Sequence, residues 1–78
     1  MRLREDFARN LRKYRKQKGL SQEALANDAG IDRTYISSLE RSVYSATVDM
    51  IERLAAVLQV EPAALLDRTT RVGRKKPS

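Results

Sequence analysis

The segment from residue 22 to residue 41, QEALANDAGIDRTYISSLER, constrains the fold of this chain more than any other part of it. It contains a single glycine, Gly30, between two stretches whose apolar residues recur at helical spacing. Glycine adopts a positive φ readily, so Gly30 is suited to end one helix and turn the chain sharply into the next. The segment therefore predicts two short helices joined by one tight turn.

Each of these two helices has the same start pattern. A polar capping residue is preceded by one aliphatic residue and followed by another four positions later, which is the spacing of a hydrophobic staple. The two caps with their staples are Ser21 with Leu20 and Leu25, and Asp32 with Ile31 and Ile36. Two such starts on either side of one glycine predict helices over residues 22–29 and 33–41.

Apolar periodicity predicts three more helices around this pair. The first covers residues 3–18, a fourth follows a cap at Thr47, and a short fifth begins at Pro62, where proline is tolerated. We therefore expect an all-α, compact five-helix domain over residues 1–67. Residues 68–78 contain one apolar side chain and are expected to form a basic, disordered tail.

The composition excludes several classes of function. The chain has no cysteine and no histidine, so a Ser/His or Cys/His catalytic centre cannot be built and thiolate metal ligands are absent. It has no apolar run of about 18 residues and no signal-peptide pattern at its start. We expect a soluble, cytoplasmic protein that is not an enzyme and uses neither cofactor nor metal, nor a membrane.

Charge is distributed unevenly along the chain. The net charge is +6, and basic side chains are concentrated at the two ends: eight of them, against two acidic ones, within residues 1–20, and five, against none, within residues 68–78. Residues 21–67 contain three basic and eight acidic side chains. Basic clusters attract nucleic acid through counterion release, whereas the acidic middle implies that any DNA contact there is local and geometric.

These features together resemble the lambda-repressor-like helix-turn-helix family, also called the Cro/C1 or XRE type. The resemblance covers residues 7–66 and rests on LRKYRKQKGLSQEALANDAGIDRTYISSLER followed by IERLAAVLQVEPAALL. Within the family, the DRTYIS segment is most similar to restriction–modification controller proteins and small stand-alone repressors. The chain departs from the family at Ser42, where a glycine is frequent, and in the loop VYSAT, which often carries Asn-Pro. The resemblance implies that the helix-turn-helix, formed by the second and third helices, binds double-stranded DNA.

The third helix is expected to contact base edges in the major groove. With Ile36 and Leu39 facing inward, the outward residues are Arg33, Thr34, Ser37, Ser38 and Arg41, of which the first four are the predicted base-reading set. The resemblance implies base contacts at three of them, Arg33, Thr34 and Ser38. A guanidinium can bond guanine O6 and N7 together, which is worth about 1–3 kcal/mol of discrimination. The alternative for Arg33 is a solvated first-turn residue without a base contact.

Other residues are expected to contact phosphates or to hold the motif together. The predicted phosphate contacts are Gln22, at the open N–H end of the second helix, and Tyr35, Arg41 and Tyr44 at the rim of the groove. For Tyr44, ring packing over the loop is an equal alternative. The resemblance implies a partly buried, structural ion pair between Arg15 and Glu40, although two solvated charges remain an alternative.

One such motif contacts few bases, so the resemblance implies a homodimer with two recognition helices about 34 Å apart on a near-palindromic operator. The expected dimer interface uses Val57, Val60, Leu65 and Leu66, some of which must also complete the core. Regulation would proceed by blocking or recruiting RNA polymerase. Two alternatives are an antitoxin that binds a toxin as well as DNA, and non-specific binding of nucleic acid or a membrane surface through the first helix.

Overall fold

The fold, described for residues 2–68 by a computed structural model, consists of helices without a β-strand in that range. The helices are α1 (Leu3–Gln17), α2 (Gln22–Ala29), α3 (Arg33–Glu40), α4 (Val48–Leu58) and a 3₁₀ helix (Pro62–Leu66). The all-α prediction is confirmed. Within residues 2–68, no helix is both long and apolar enough to cross a lipid bilayer. The tail predicted over residues 68–78 lies, apart from Arg68, outside the described residues.

The prediction of a fifth α-helix is wrong, since this segment forms a 3₁₀ helix. Two of its hydrogen bonds run between residues three apart: Ala64 N–H donates to the Glu61 carbonyl at 2.9 Å, and Asp67 N–H donates to the Ala64 carbonyl at 3.4 Å. The segment begins at Pro62, and Asp67 is already extended, with ψ of 128°. Five residues between these limits leave little room for the longer-range bonds of an α-helix, and short 3₁₀ pieces serve such positions.

Helix starts follow the predicted caps in two cases out of three. Ser21 Oγ accepts a hydrogen bond from Ala24 N–H at 2.9 Å, and Thr47 Oγ1 accepts one from Met50 N–H at 3.1 Å. Asp32 has the extended backbone of a cap, but its side chain makes no capping hydrogen bond. The start of α3 therefore relies on the staple, in which Ile36 is fully buried.

The turn that ends α2 and the turn that ends α3 both use a left-handed residue. Gly30 has φ of 73° and ψ of 33°, as its position predicts. Ser42 adopts φ of 62° after α3, and Val43 N–H donates to the Ser38 carbonyl at 2.9 Å to close that helix. The serine at position 42 thus keeps the turn that a glycine would make, with a Cβ that this conformation disfavours.

Replacing Ser42 with glycine is expected to stabilise the domain by about 0.5–1 kcal/mol. A non-glycine residue in this conformation costs about 1–2 kcal/mol, and part of the gain is offset because glycine has more freedom in the unfolded chain. Urea denaturation of the parent and the variant measures the difference. The control is Gly30→Ala, which should destabilise through backbone strain alone because its added Cβ meets no atom within 4 Å. A Ser42→Gly variant no more stable than the parent would contradict this account.

All five helices contribute to a single core. Its buried apolar residues are Phe7, Leu11, Leu25, Ala26, Ala29, Ile36, Leu39, Leu54, Ala55, Leu58 and Leu65. Leu65 has no exposed surface, so its assignment to a dimer interface is wrong: it closes the core from the 3₁₀ helix. Val57, Val60 and Leu66 pack against the core and remain partly accessible.

Polar contacts that the sequence did not predict hold the end of the domain to α1. Asn10 is fully buried, and its Nδ2 donates to the carbonyls of Leu65, at 3.0 Å, and Asp67, at 2.8 Å. The buried Asp6 carboxylate accepts from Arg68 Nε at 3.2 Å. These contacts satisfy backbone carbonyls at the end of the 3₁₀ helix and fix its position against α1.

Candidate nucleic-acid interface

The beginning of α3 presents an exposed polar surface. Arg33 and Thr34 are exposed, and Ser37 is half-buried on the adjoining part of the helix. Ile36 and Leu39, on the opposite side, have no exposed surface and fix the rotation of α3 about its axis. Within residues 2–68, the exposed Arg33 makes no ion pair or hydrogen bond, so the five N–H donors of its guanidinium are available to a ligand.

Ser38 differs from its prediction. Only 6% of Ser38 is exposed, so its placement on the outward face of α3 is wrong. It lies one turn beyond Tyr35, whose ring is 6.2 Å from that of Tyr44 in the loop after α3. The exposed candidate base-reading set is therefore Arg33, Thr34 and the accessible part of Ser37.

Three residues of α3 and the loop after it are the remaining predicted phosphate contacts. Tyr35 is half-buried, whereas Arg41, which caps the helix, and Tyr44 are exposed. The two tyrosine rings are tilted by 45° at the 6.2 Å centroid distance, which is within the usual range for a packed aromatic pair. Ring packing of Tyr44 is thus observed, and a phosphate contact by any of the three residues stays a prediction.

Glu40, the last residue of α3, is the buried acceptor that joins three helices. Arg15 Nε donates to its Oε2 at 2.6 Å, and Arg15 Nη2 donates to its Oε1 at 3.0 Å. Glu40 is 3% exposed and Arg15 9% exposed, so the predicted ion pair between α1 and α3 is confirmed. The hydrogen bond that Arg15 makes to Glu40 raises the pKa of Arg15 above the ordinary arginine value. The two-pronged geometry fixes both the distance and the rotation between the helices.

Two further side chains bind Glu40. Gln22, the first residue of α2, donates from Nε2 to Glu40 Oε1 at 3.0 Å. Arg12 donates from Nη2 to the Glu40 carbonyl at 3.0 Å, and its Nε lies 3.9 Å from Oε1. Sequence reasoning missed Arg12, although its position one turn before Arg15 places both on the same side of α1. Gln22 therefore braces the end of α3, and its phosphate contact remains a prediction.

Comparison with protein families identifies the same region. The HTH_3 model, described as helix-turn-helix, matches residues 11–65. That range includes the complete α2–turn–α3 unit, together with the second half of α1 and nearly all of the 3₁₀ helix.

Individual relatives agree with this assignment. A hypothetical transcription factor of Neisseria meningitidis is 45% identical over 64 residues, which are 82% of this chain and 60% of that protein. Control protein C.BamHI of Bacillus amyloliquefaciens is 42% identical over 65 residues, covering 82% and 80% of the two chains. The structure of SinR, the master regulator for biofilm formation, in complex with DNA superimposes with a TM-score of 0.75 at 37% identity, covering 78% and 98%.

The chain spans about 60% of the length of its Neisseria relative and most of the controller protein. The matched part contains the exposed start of α3 and the buried Glu40 that supports its end. This protein belongs to the HTH_3, or XRE-type, helix-turn-helix family of DNA-binding transcriptional regulators.

Proposed function

We propose that this protein is a sequence-specific regulator of transcription that binds double-stranded DNA as a homodimer, on a near-palindromic operator. The observation that carries the proposal is the free guanidinium of Arg33 beside the exposed Thr34, at the start of a helix whose other side is anchored in the core. Helix-turn-helix proteins contact base edges with this end of their second helix, inserted in the major groove.

Two side chains carry the proposed base contacts. Arg33 can donate two parallel hydrogen bonds to guanine O6 and N7, and Thr34 can offer its hydroxyl or place its methyl group against that of thymine. The support behind them is rigid, because Glu40 accepts from both Arg15 and Gln22 at the opposite end of the helix. A fixed helix presents its side chains to the bases without a further loss of backbone freedom on binding.

The proposed phosphate contacts lie on either side of this helix. Gln22 opens α2, where unsatisfied backbone N–H groups attract an anion. Tyr35 lies in the first turn of α3, Arg41 caps the end of that helix, and Tyr44 lies in the loop that follows it. Such contacts fix the register of α3 on the duplex and carry no sequence information themselves. The role requires no catalytic step, and it would alter transcription by excluding RNA polymerase from the operator or recruiting it there.

Selection of bound fragments from random DNA tests the proposal. We expect an enriched near-palindrome that contains guanine in each half, with half-site centres about 10–10.5 base pairs apart or at a multiple of that distance. This spacing places one recognition helix in each of two major grooves on the same side of the duplex. Failure to enrich any sequence over scrambled competitor DNA would overturn the proposed function.

Removing residues 69–78, with Arg68 retained because it binds Asp6, is expected to weaken binding to operator and scrambled DNA by the same factor. The deleted segment contains four basic side chains and no acidic one. The slope of log K against log salt should become shallower by about 0.9 for each phosphate that the shortened chain no longer neutralises. A variant of unchanged length with Arg71, Arg74, Lys75 and Lys76 replaced by glutamine separates the effect of charge from that of length. An unchanged slope in both variants would show that the segment makes no phosphate contact.

A further inference from the structure

An apolar surface on one side of the domain is not used by the proposed DNA contact. Val48, at the start of α4, is 74% exposed, more than any other large apolar side chain of residues 2–68. Nearby is a groove of about 140 Å³ between the start of α1, the loop before α4, and the 3₁₀ helix. Its apolar lining consists of Leu3, Phe7, Ala46, Ile51 and Leu66.

Val48 projects at the edge of this groove. It precedes Ile51 by three positions on α4, so the two side chains are neighbours on the helix surface. Ile51 lines the groove, whereas Val48 lies in solvent. An apolar projection beside an apolar hollow suits a two-fold contact, because each copy can insert its projection into the hollow of the other.

Charges around the groove have the same self-complementary pattern. Arg4 lines the groove from α1, and Glu52 lies on α4 one turn beyond Val48, so opposite charges flank one apolar surface. Within residues 2–68, Glu52 has no ion-pair partner, and Arg4 makes only a long hydrogen bond of 3.5 Å to the Ser42 carbonyl. A two-fold rotation brings the Arg4 side of one copy towards the Glu52 side of the other.

We propose that this groove together with Val48, Arg4 and Glu52 is the surface through which two copies of the chain dimerise. The proposal rests on the proposed function and names the interface of its homodimer. It places the contact at the start of α4. Of the sequence-based candidates, Leu66 lines this groove, whereas Val57 and Val60 pack against the core near the end of α4.

Sedimentation velocity over a series of concentrations tests the surface with Val48→Asp. The matched control is Val43→Asp, the same substitution at a half-exposed valine that does not line the groove. We expect Val48→Asp to raise the dimer dissociation constant at least about tenfold, and Val43→Asp to change it by less than about twofold, with both variants folded by circular dichroism. A Val48→Asp variant that dimerises like the parent, or an equal loss in the control, would overturn the proposal.

A charge exchange tests the two-fold relation itself. Arg4→Glu and Glu52→Arg are each expected to weaken dimerisation, because each places like charges across the interface. The chain carrying both changes should dimerise more tightly than either single variant, since the exchange restores opposite charges on both sides of the two-fold axis. Singles equal to the parent, or a double variant weaker than both singles, would exclude the contact.

Binding of DNA by the same variants separates this inference from the proposed function. Val48→Asp should bind a single half-site with the affinity of the parent while losing at least about tenfold on the complete operator. If Val48→Asp keeps full affinity for the operator, the proposed dimer surface is wrong and the proposed regulatory function still stands. If the parent binds no selected DNA, the proposed function fails, and sedimentation still decides whether this surface joins two copies.

Discussion

Replacing Glu40 with alanine is expected to lower the free energy of unfolding by about 3–5 kcal/mol, because it leaves a buried guanidinium without its counter-charge. Arg15 is 9% exposed, and this variant removes both of its hydrogen bonds to the carboxylate, at 2.6 and 3.0 Å. Gln22 loses its acceptor as well. The ends of α1, α2 and α3 therefore lose the group that holds them together.

Urea denaturation followed by circular dichroism measures this effect, and Glu40→Gln is the matched control. Glutamine keeps one oxygen acceptor and the shape, so it should be less destabilising than alanine and it provides a measurement if Glu40→Ala does not fold. Neutral pH is suitable for this measurement. Because the pKa of Arg15 is raised in the folded chain, the ion pair contributes fully to the free energy of unfolding below the arginine pKa of the unfolded chain. This contribution is lost only as pH rises through the higher pKa that Arg15 has in the folded chain.

A double-mutant cycle attributes the loss to the charge itself. If an unpaired buried guanidinium causes the instability, combining Arg15→Leu with Glu40→Leu should be less destabilising than the sum of the two single changes. If Glu40→Ala lowers the free energy of unfolding by less than about 1 kcal/mol, the pair behaves as two solvated charges. An exposed ion pair usually contributes only about 0–1 kcal/mol to stability.

Replacing Arg33 with alanine is expected to remove about 1–3 kcal/mol of discrimination at one base pair in each half-site, a factor of about 5–150 in relative affinity. The fold should be unaffected, since Arg33 is exposed and makes no ion pair or hydrogen bond within residues 2–68. Preference at the guanine that it contacts should relax, while preferences at other positions persist.

Competition binding with operator variants that differ by one base pair provides the measurement. Arg41→Ala is the matched control, because a phosphate contact should weaken binding uniformly across the variants without altering base preference. Identical preferences in the parent and in Arg33→Ala would contradict the assigned role. The assigned role would also be contradicted if Arg41→Ala changed base preference as much as Arg33→Ala does.

The parts of the fold that the sequence predicts are those fixed by local interactions. The Ser21 and Thr47 caps each close a bond to an N–H three residues away, and Gly30 meets a backbone requirement at its own position. These features depend on short stretches of chain, so a residue pattern is sufficient to identify them. Arg15 and Glu40 are 25 residues apart in the sequence, and their ion pair is predictable only through the family resemblance.

Features fixed by distant segments could not be predicted in this way. Asn10 looks like an ordinary polar residue of α1, yet it is buried because the chain returns 55 residues later to place the Leu65 carbonyl beside it. Ser38 is 6% exposed although the pattern of α3 places it among the polar residues, beside Tyr35, whose ring packs with that of Tyr44 from the loop after the helix. Periodicity shows which side of a helix is apolar, and it does not show what covers the polar side.

Methylation interference on the selected operator tests most directly whether α3 lies in the major groove. Dimethyl sulfate modifies guanine N7, which faces the major groove, and adenine N3, which faces the minor groove. If α3 lies in the major groove, N7 methylation of the guanine that Arg33 contacts should block DNA binding by the parent. The same methylation should weaken DNA binding by Arg33→Ala much less. Interference confined to adenine N3, with every guanine N7 tolerated, would contradict the account.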